Sequence, residues 1–222
     1  MNQAAEAAGP PSTWLGAQLR RGIVAERGLG PVVSLLLIPA ILATNLIYDL
    51  LNHGPNRIFL ETPLDRALPV VPIFAIPYIS LIPYIGVSLL LFLFFRVRVY
   101  RSAALTMIIV WFISYAFYFF LQSYIARPHI NGSDPFSGMI RTIYASDQPY
   151  NDFPSLHTSL SMIIAIHWWR FDRRIGIAAA IWTALIVAST VLVKQHYLAD
   201  VAGGLVLAGV TSGLLMRVTR AS

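Results

Sequence analysis

Residues 175–193 read IGIAAAIWTALIVASTVLV. The run carries no charge and is bounded by Arg173 and Arg174 on one side and Lys194 on the other. A helix crossing the hydrocarbon core of a bilayer needs about 20 such residues. Working outward, five more stretches qualify, at roughly 31–51, 72–95, 102–124, 155–169 and 198–216. The fourth of the resulting six spans, 155–169, is short. The second contains Pro72, Pro77 and Pro83, so kinks and an irregular start are expected there. The composition agrees. Of 222 residues, 57% are hydrophobic and 12% charged, with a mean hydropathy of +0.66. A soluble domain carries about twice that share of charge. The chain is therefore read as all-α, an integral membrane bundle of six transmembrane helices. Residues 31–222 form one membrane domain.

Charge gives the orientation. Arg20, Arg21, Arg27, Arg96, Arg98, Arg101, Arg170, Arg173, Arg174, Arg217 and Arg220 fall on one side of the six spans. Only Arg57, Arg66, Arg127, Arg141 and Lys194 fall on the other. Basic residues accumulate on the cytoplasmic side, which places both termini in the cytoplasm and fits an even number of spans. The net charge of +6 thus records topology and points to no nucleic acid partner. No cysteine is present, so disulfides and thiolate metal sites are excluded. Residues 1–30 lack the short apolar core of a signal peptide. Trp14, Leu15, Leu19 and Ile23 lie near helical spacing, which suits a short interfacial helix, with a frayed polar tail as the alternative.

The polar chemistry sits on the outer side, with Asp49, Glu61, Asp65, Asp134, Asp147, Asp152, Asp200, His53, His129, His157 and His196. Two passages stand out. In KQHYLAD, residues 194–200, His196 and Asp200 are four apart, one helical turn on the same face. A carboxylate so placed fixes the imidazole tautomer and frees Nε2 as a nucleophile or base. An interfacial histidine with a carboxylate partner is the plainer reading. Ionisable groups at membrane level are costly, which favours function. In NDFPSLHTSLS, residues 151–161, Asn151 and Asp152 suit a helix cap and Pro154 a first turn. A helix start there would offer free N–H groups to an anion, with Ser155, Ser159 and His157 beside them. Arg127 ends the third span on the same side, and Lys194 is a second cation. Two histidines, a carboxylate, two cations and a helix N-terminus are what phosphoryl transfer through a phosphohistidine requires.

PSLH at 154–157, and Ser189, His196 and Asp200 in an S-x6-H-x3-D pattern, resemble the second and third motifs of the type-2 phosphatidic acid phosphatase superfamily. Arg127-Pro128 resembles the end of its first motif. The chain departs from the pattern at Phe120, Leu156 and Thr190, where the family has lysine, glycine and arginine. These departures, and TPLDRALP at 62–69, are similar to the branch containing inositol phosphorylceramide synthase and sphingomyelin synthase. The resemblance implies that His196 is the nucleophile, Asp200 orients it and His157 is the general acid. It implies that Arg127, Ser155 and Lys194 hold the phosphate. Lys194, one turn beyond Thr190, would replace the absent arginine. Asp65, Arg66 and Arg141 are candidates for the substrate entrance. No metal and no cofactor is implied. The expected partners are membrane lipids: a lipid phosphate substrate and, if transfer occurs, a lipid alcohol acceptor. The expected activity is a lipid phosphatase or head-group phosphotransferase working at the extracytoplasmic face. The alternative is a non-catalytic lipid-binding or transport protein on the same scaffold.

Overall fold

The computed structural model of the chain describes residues 21–55 and 58–221. The expected interfacial helix of the first thirty residues falls mostly outside them. Its last part is a single 3-10 turn, Ile23–Ala25. The architecture is helical, as a chain must be if its backbone is to be satisfied inside lipid without closing a barrel. Among the described residues, strand pairing is limited to two isolated bridges, Ile58 with Ser123 and Tyr124 with Tyr150.

The long helices are α1 (Gly30–Leu51), α4 (Leu81–Phe95), α5 (Val97–Phe120), α7 (Leu156–Phe171), α8 (Arg173–Leu192) and α9 (Leu198–Ala221). Shorter ones are α2 (Pro63–Ala67), α3 (Ala75–Ile79) and α6 (Pro135–Ser146). Among the described residues, five segments are long and apolar enough to cross a membrane: α1, the composite Pro72–Phe95, α5, α8 and α9 up to Arg217. The expected fourth span is α7, whose 16 residues rise only about 24 Å. It packs against α4, α5, α8 and α9, and most of its residues are buried. The outer helices instead expose apolar side chains such as Leu42, Ile82, Phe112, Ile181 and Val206.

Two boundaries differ from the sequence reading. Arg96, Arg98 and Arg101 were expected in a loop, but Arg96 alone separates α4 from α5. Arg98 and Arg101 sit in the first turns of α5. Arg101 binds Glu26 at 2.6 Å and donates to Gly30 O at 2.7 Å, which anchors the start of α1. At the other end α5 stops at Phe120, because residues 121–124 turn away to form the bridges to Ile58 and Tyr150. The proline-rich second span is interrupted as expected, at Ser80 between α3 and α4. His167 is structural: its ring contacts Ile163 O at 2.8 Å and Ser102 Oγ at 3.1 Å.

Candidate active site

The S-x6-H spacing is explained by the end of α8. Thr190 O accepts the N–H groups of Gln195 and His196 at 2.9 and 3.0 Å, folding residues 193–196 back onto the last turn. Lys194 occupies the left-handed region, with φ of 54°. It therefore does not continue the helical face of Thr190, as the sequence reading assumed. Its Nζ donates to Asp65 O at 2.6 Å. His196 likewise precedes α9 rather than lying on it, so the pair with Asp200 joins a turn to a helix start. Asp200 Oδ2 accepts Tyr197 N–H at 2.7 Å and stands 3.7 Å from His196 Nδ1. That is ion-pair distance, longer than a hydrogen bond. Catalytic contacts often tighten only when substrate binds.

The PSLH turn reaches the same place by a different device. Ser155, not Asn151 or Asp152, caps α7, its Oγ accepting Thr158 N–H at 3.3 Å. Pro154 precedes the helix. Asn151 and Asp152 lie in the approach to it, with Asn151 Oδ1 accepting from Gln122 and the Asp152 N–H donating to Ser123 Oγ. Ser155 N–H donates to Asp200 O at 3.0 Å, and Ser159 Oγ donates to Gly204 O at 3.1 Å. Two hydrogen bonds thus lock the start of α7 to the start of α9. The rings of His157 and His196 come to 6.0 Å between centroids, inclined at 55°. Tyr78 of α3 stacks on His157 at 4.2 Å and 18°. The close approach depends on glycine: a Cβ on Gly204 would lie 2.7 Å from Ser155 O and 3.0 Å from Thr158 Cβ. Gly204→Ala is expected to force α9 off α7, lowering stability in detergent by about 1–3 kcal/mol and turnover by about tenfold or more.

Arg127 is placed beside this pair, but its fork is largely committed. Its two Nη atoms donate to Asp147 O at 2.6 Å, Gln195 Oε1 at 2.7 Å, Gln148 O at 3.2 Å and Tyr144 O at 3.4 Å. Its Nε is buried without a partner. Arg127 therefore holds the α6–α7 connection against the His196 turn, with one N–H left over. Asp147 accepts from Tyr48 and Asn52. Burial raises its carboxyl above the ordinary range, with Arg127 acting the other way. Burial, and then the Asp200 carboxylate, push the Asp152 carboxyl well above that range.

The three candidates for a substrate entrance are each engaged in local bonds. Asp65 is 2% exposed and accepts Leu198 N–H at 2.8 Å and Thr62 N–H at 2.8 Å. Burial opposes its charge, but the Thr62 and Leu198 bonds and Lys194 together hold its carboxyl below the ordinary range. It braces the start of α9 instead of lining an opening, because a capping box in α2 turns the carboxylate inward. Arg66 is exposed and pairs with Glu61 at 2.8 Å. Arg141 donates to Ile130 O and Gly132 O, securing the loop before α6. Among the described residues, no three His, Asp or Glu side chains are grouped as metal ligands.

What the sequence reading missed is the wall of the site. A cavity of about 400 Å³ is lined at one end by His157, His196, Asp147, Asn151, Tyr48 and Tyr118, and by apolar residues of α1, α4 and α5 along the rest. A sequence profile described as the PAP2 superfamily matches residues 55–214, an interval that contains Arg127, the PSLH turn and the KQHYLAD turn. The chain belongs to the PAP2 superfamily. No curated protein and no solved structure matches it. Membership in the PAP2 superfamily supports a phosphatase-like enzyme acting on a lipid phosphate. The apolar helices fit an integral membrane protein.

Proposed function

We propose that this PAP2 superfamily member transfers a phosphoryl or phospho-head group from a lipid through a phosphohistidine on His196. The observation that carries the proposal is the convergence of His157 and His196 at the polar end of an otherwise apolar cavity. His196 Nε2 attacks phosphorus, and the bond from phosphorus to the departing lipid oxygen breaks. His157 gives that oxygen its proton. Asp200 faces Nδ1 and stabilises the imidazolium character of the nucleophile. The Arg127 Nε–H, the Ser155 hydroxyl and the first-turn N–H groups of α7 bind the equatorial oxygens. Lys194, engaged at Asp65, contributes by fixing the turn. In the second half-reaction His157 takes a proton from the acceptor hydroxyl, which attacks phosphorus and releases His196. Water as acceptor gives a phosphatase; a lipid alcohol gives a head-group phosphotransferase of the inositol phosphorylceramide synthase kind.

In this reading the protein has six spans, with α7 the fourth, both termini in the cytoplasm and the site at the extracytoplasmic face. The excess of arginine at the opposite end supports that orientation. The test is product analysis of the purified protein in mixed lipid micelles, with a labelled lipid phosphate and a lipid alcohol. Labelled free phosphate identifies hydrolysis, and label on the second lipid identifies transfer. Absence of both, together with unchanged lipid binding by His196→Ala, would leave a lipid-binding protein and sink the proposal. Orthovanadate, a mimic of pentacoordinate phosphorus, is expected to inhibit either reaction.

A further inference from the structure

The cavity is far longer than a phosphate needs. Its lining on α5 runs from Tyr118, whose hydroxyl donates to Pro154 O beside the PSLH turn, through Trp111 to Tyr100. The 18 residue steps between Tyr118 and Tyr100 span about 27 Å at the helical rise. On α4 the lining runs from Leu81 to Leu93, about 18 Å. A hydrocarbon core is about 30 Å thick, so the cavity continues past its midplane. Its inner wall is buried, with Ile41, Leu81, Ile85, Trp111 and Leu160 each below 10% exposure. Its rim, with Leu42, Ile82 and Leu90, is open to the surroundings of the bundle. The opening exists because α1 and α4 both pack on α5 without an extended interface between them. Tyr100 closes the far end, 1% exposed and donating to Ser34 O on α1 at 3.1 Å.

We infer that the cavity is a length gauge for a hydrocarbon chain, entered from the side, with Tyr100 as its floor and Gly86 beside its opening. The inference rests on the proposed function, since it assigns the substrate a long chain whose phosphate sits at the histidines. Gly86 lines the cavity about 7.5 Å below Leu81. A Cβ built there meets nothing within 4 Å, so a larger side chain has room at the cavity's opening, on the face of α4 that also carries the rim residues Ile82 and Leu90.

The experiment compares single-chain lipid monophosphates of two lengths, one ending above residue 86 and one reaching Tyr100, in parent and Gly86→Phe protein. Blocking the bore is expected to lower kcat/KM for the long chain by about tenfold or more, the scale of an overpacked apolar site. The short chain is far less affected, and its turnover reports that the variant folds. Equal losses for both chains would overturn the gauge while leaving the phosphoryl-transfer reading intact. A second readout needs no activity. Trp111 lies about 10 Å below Tyr118, so a long chain brominated at mid-length is expected to quench its fluorescence more than one brominated beside the phosphate. Trp111→Phe should remove that difference. If the parent turns over neither lipid, the phosphoryl-transfer reading fails. Depth-dependent quenching would then still uphold the gauge, and its absence would overturn it.

Discussion

Replacing His196 with alanine is expected to reduce turnover by about 10³-fold or more, whether the assay reads free phosphate or a transferred head group. The size follows from the role proposed for it. No covalent intermediate forms without Nε2, and neither half-reaction proceeds by this route. The fold should survive. The ring makes no hydrogen bond through Nδ1, and the backbone N–H that anchors the turn to Thr190 O is kept. A melting temperature close to the parent's, with activity gone, is the expected pair of results. Retained activity would remove His196 from the chemistry.

His157→Ala is expected to cost about 10²–10⁴-fold with a lipid alcohol as leaving group, the usual contribution of a positioned acid or base. The diagnostic lies in the leaving group. An aryl phosphate expels a phenolate that needs little help from a proton, so the first half-reaction should persist in the variant. The second half-reaction still needs a base to activate water. Rapid mixing should therefore show a burst of phenol equal to the enzyme, followed by slow turnover. Equal slowing of both phases with both leaving groups would show that His157 positions other groups and moves no proton. Tyr78, stacked on its ring, loses packing in this variant. The burst amplitude controls for that loss, because it counts competent sites.

The spans were legible because lipid demands long uncharged helices, a requirement that composition alone displays. Their ends were less so. α5 begins at Val97 because one residue suffices to turn the chain, a tertiary feature that the run of arginines disguised as a loop. The two histidines were legible because each sits beside turn residues at the mouth of an apolar run. Their 6.0 Å approach was not, since it depends on Ser155 bonding to Asp200 O across two helices. Lys194 and Asp65 show the limit most clearly. Spacing suggested a cation on a helical face and an acid at an entrance. A left-handed residue and a capping box turned them towards each other instead. Tyr78 carries no sequence signal of its own and Asn151 was read only as a helix cap, and packing brings both to the site.

The helices that hold the reacting groups and the helices that wall the bore stand in different solvents. α7 packs against four helices, so the position of His157 is set by the protein around it. α1 and α4 present much of their surface outward, and the material that surrounds them is itself deformable. A thinner or stiffer bilayer would tilt or squeeze those outer walls. It would have little purchase on the enclosed column. If the bore gauges the tail of the substrate as inferred, the membrane is part of the specificity of the protein without being part of its chemistry. The same chain would then choose different tails in different lipids and treat each phosphate alike.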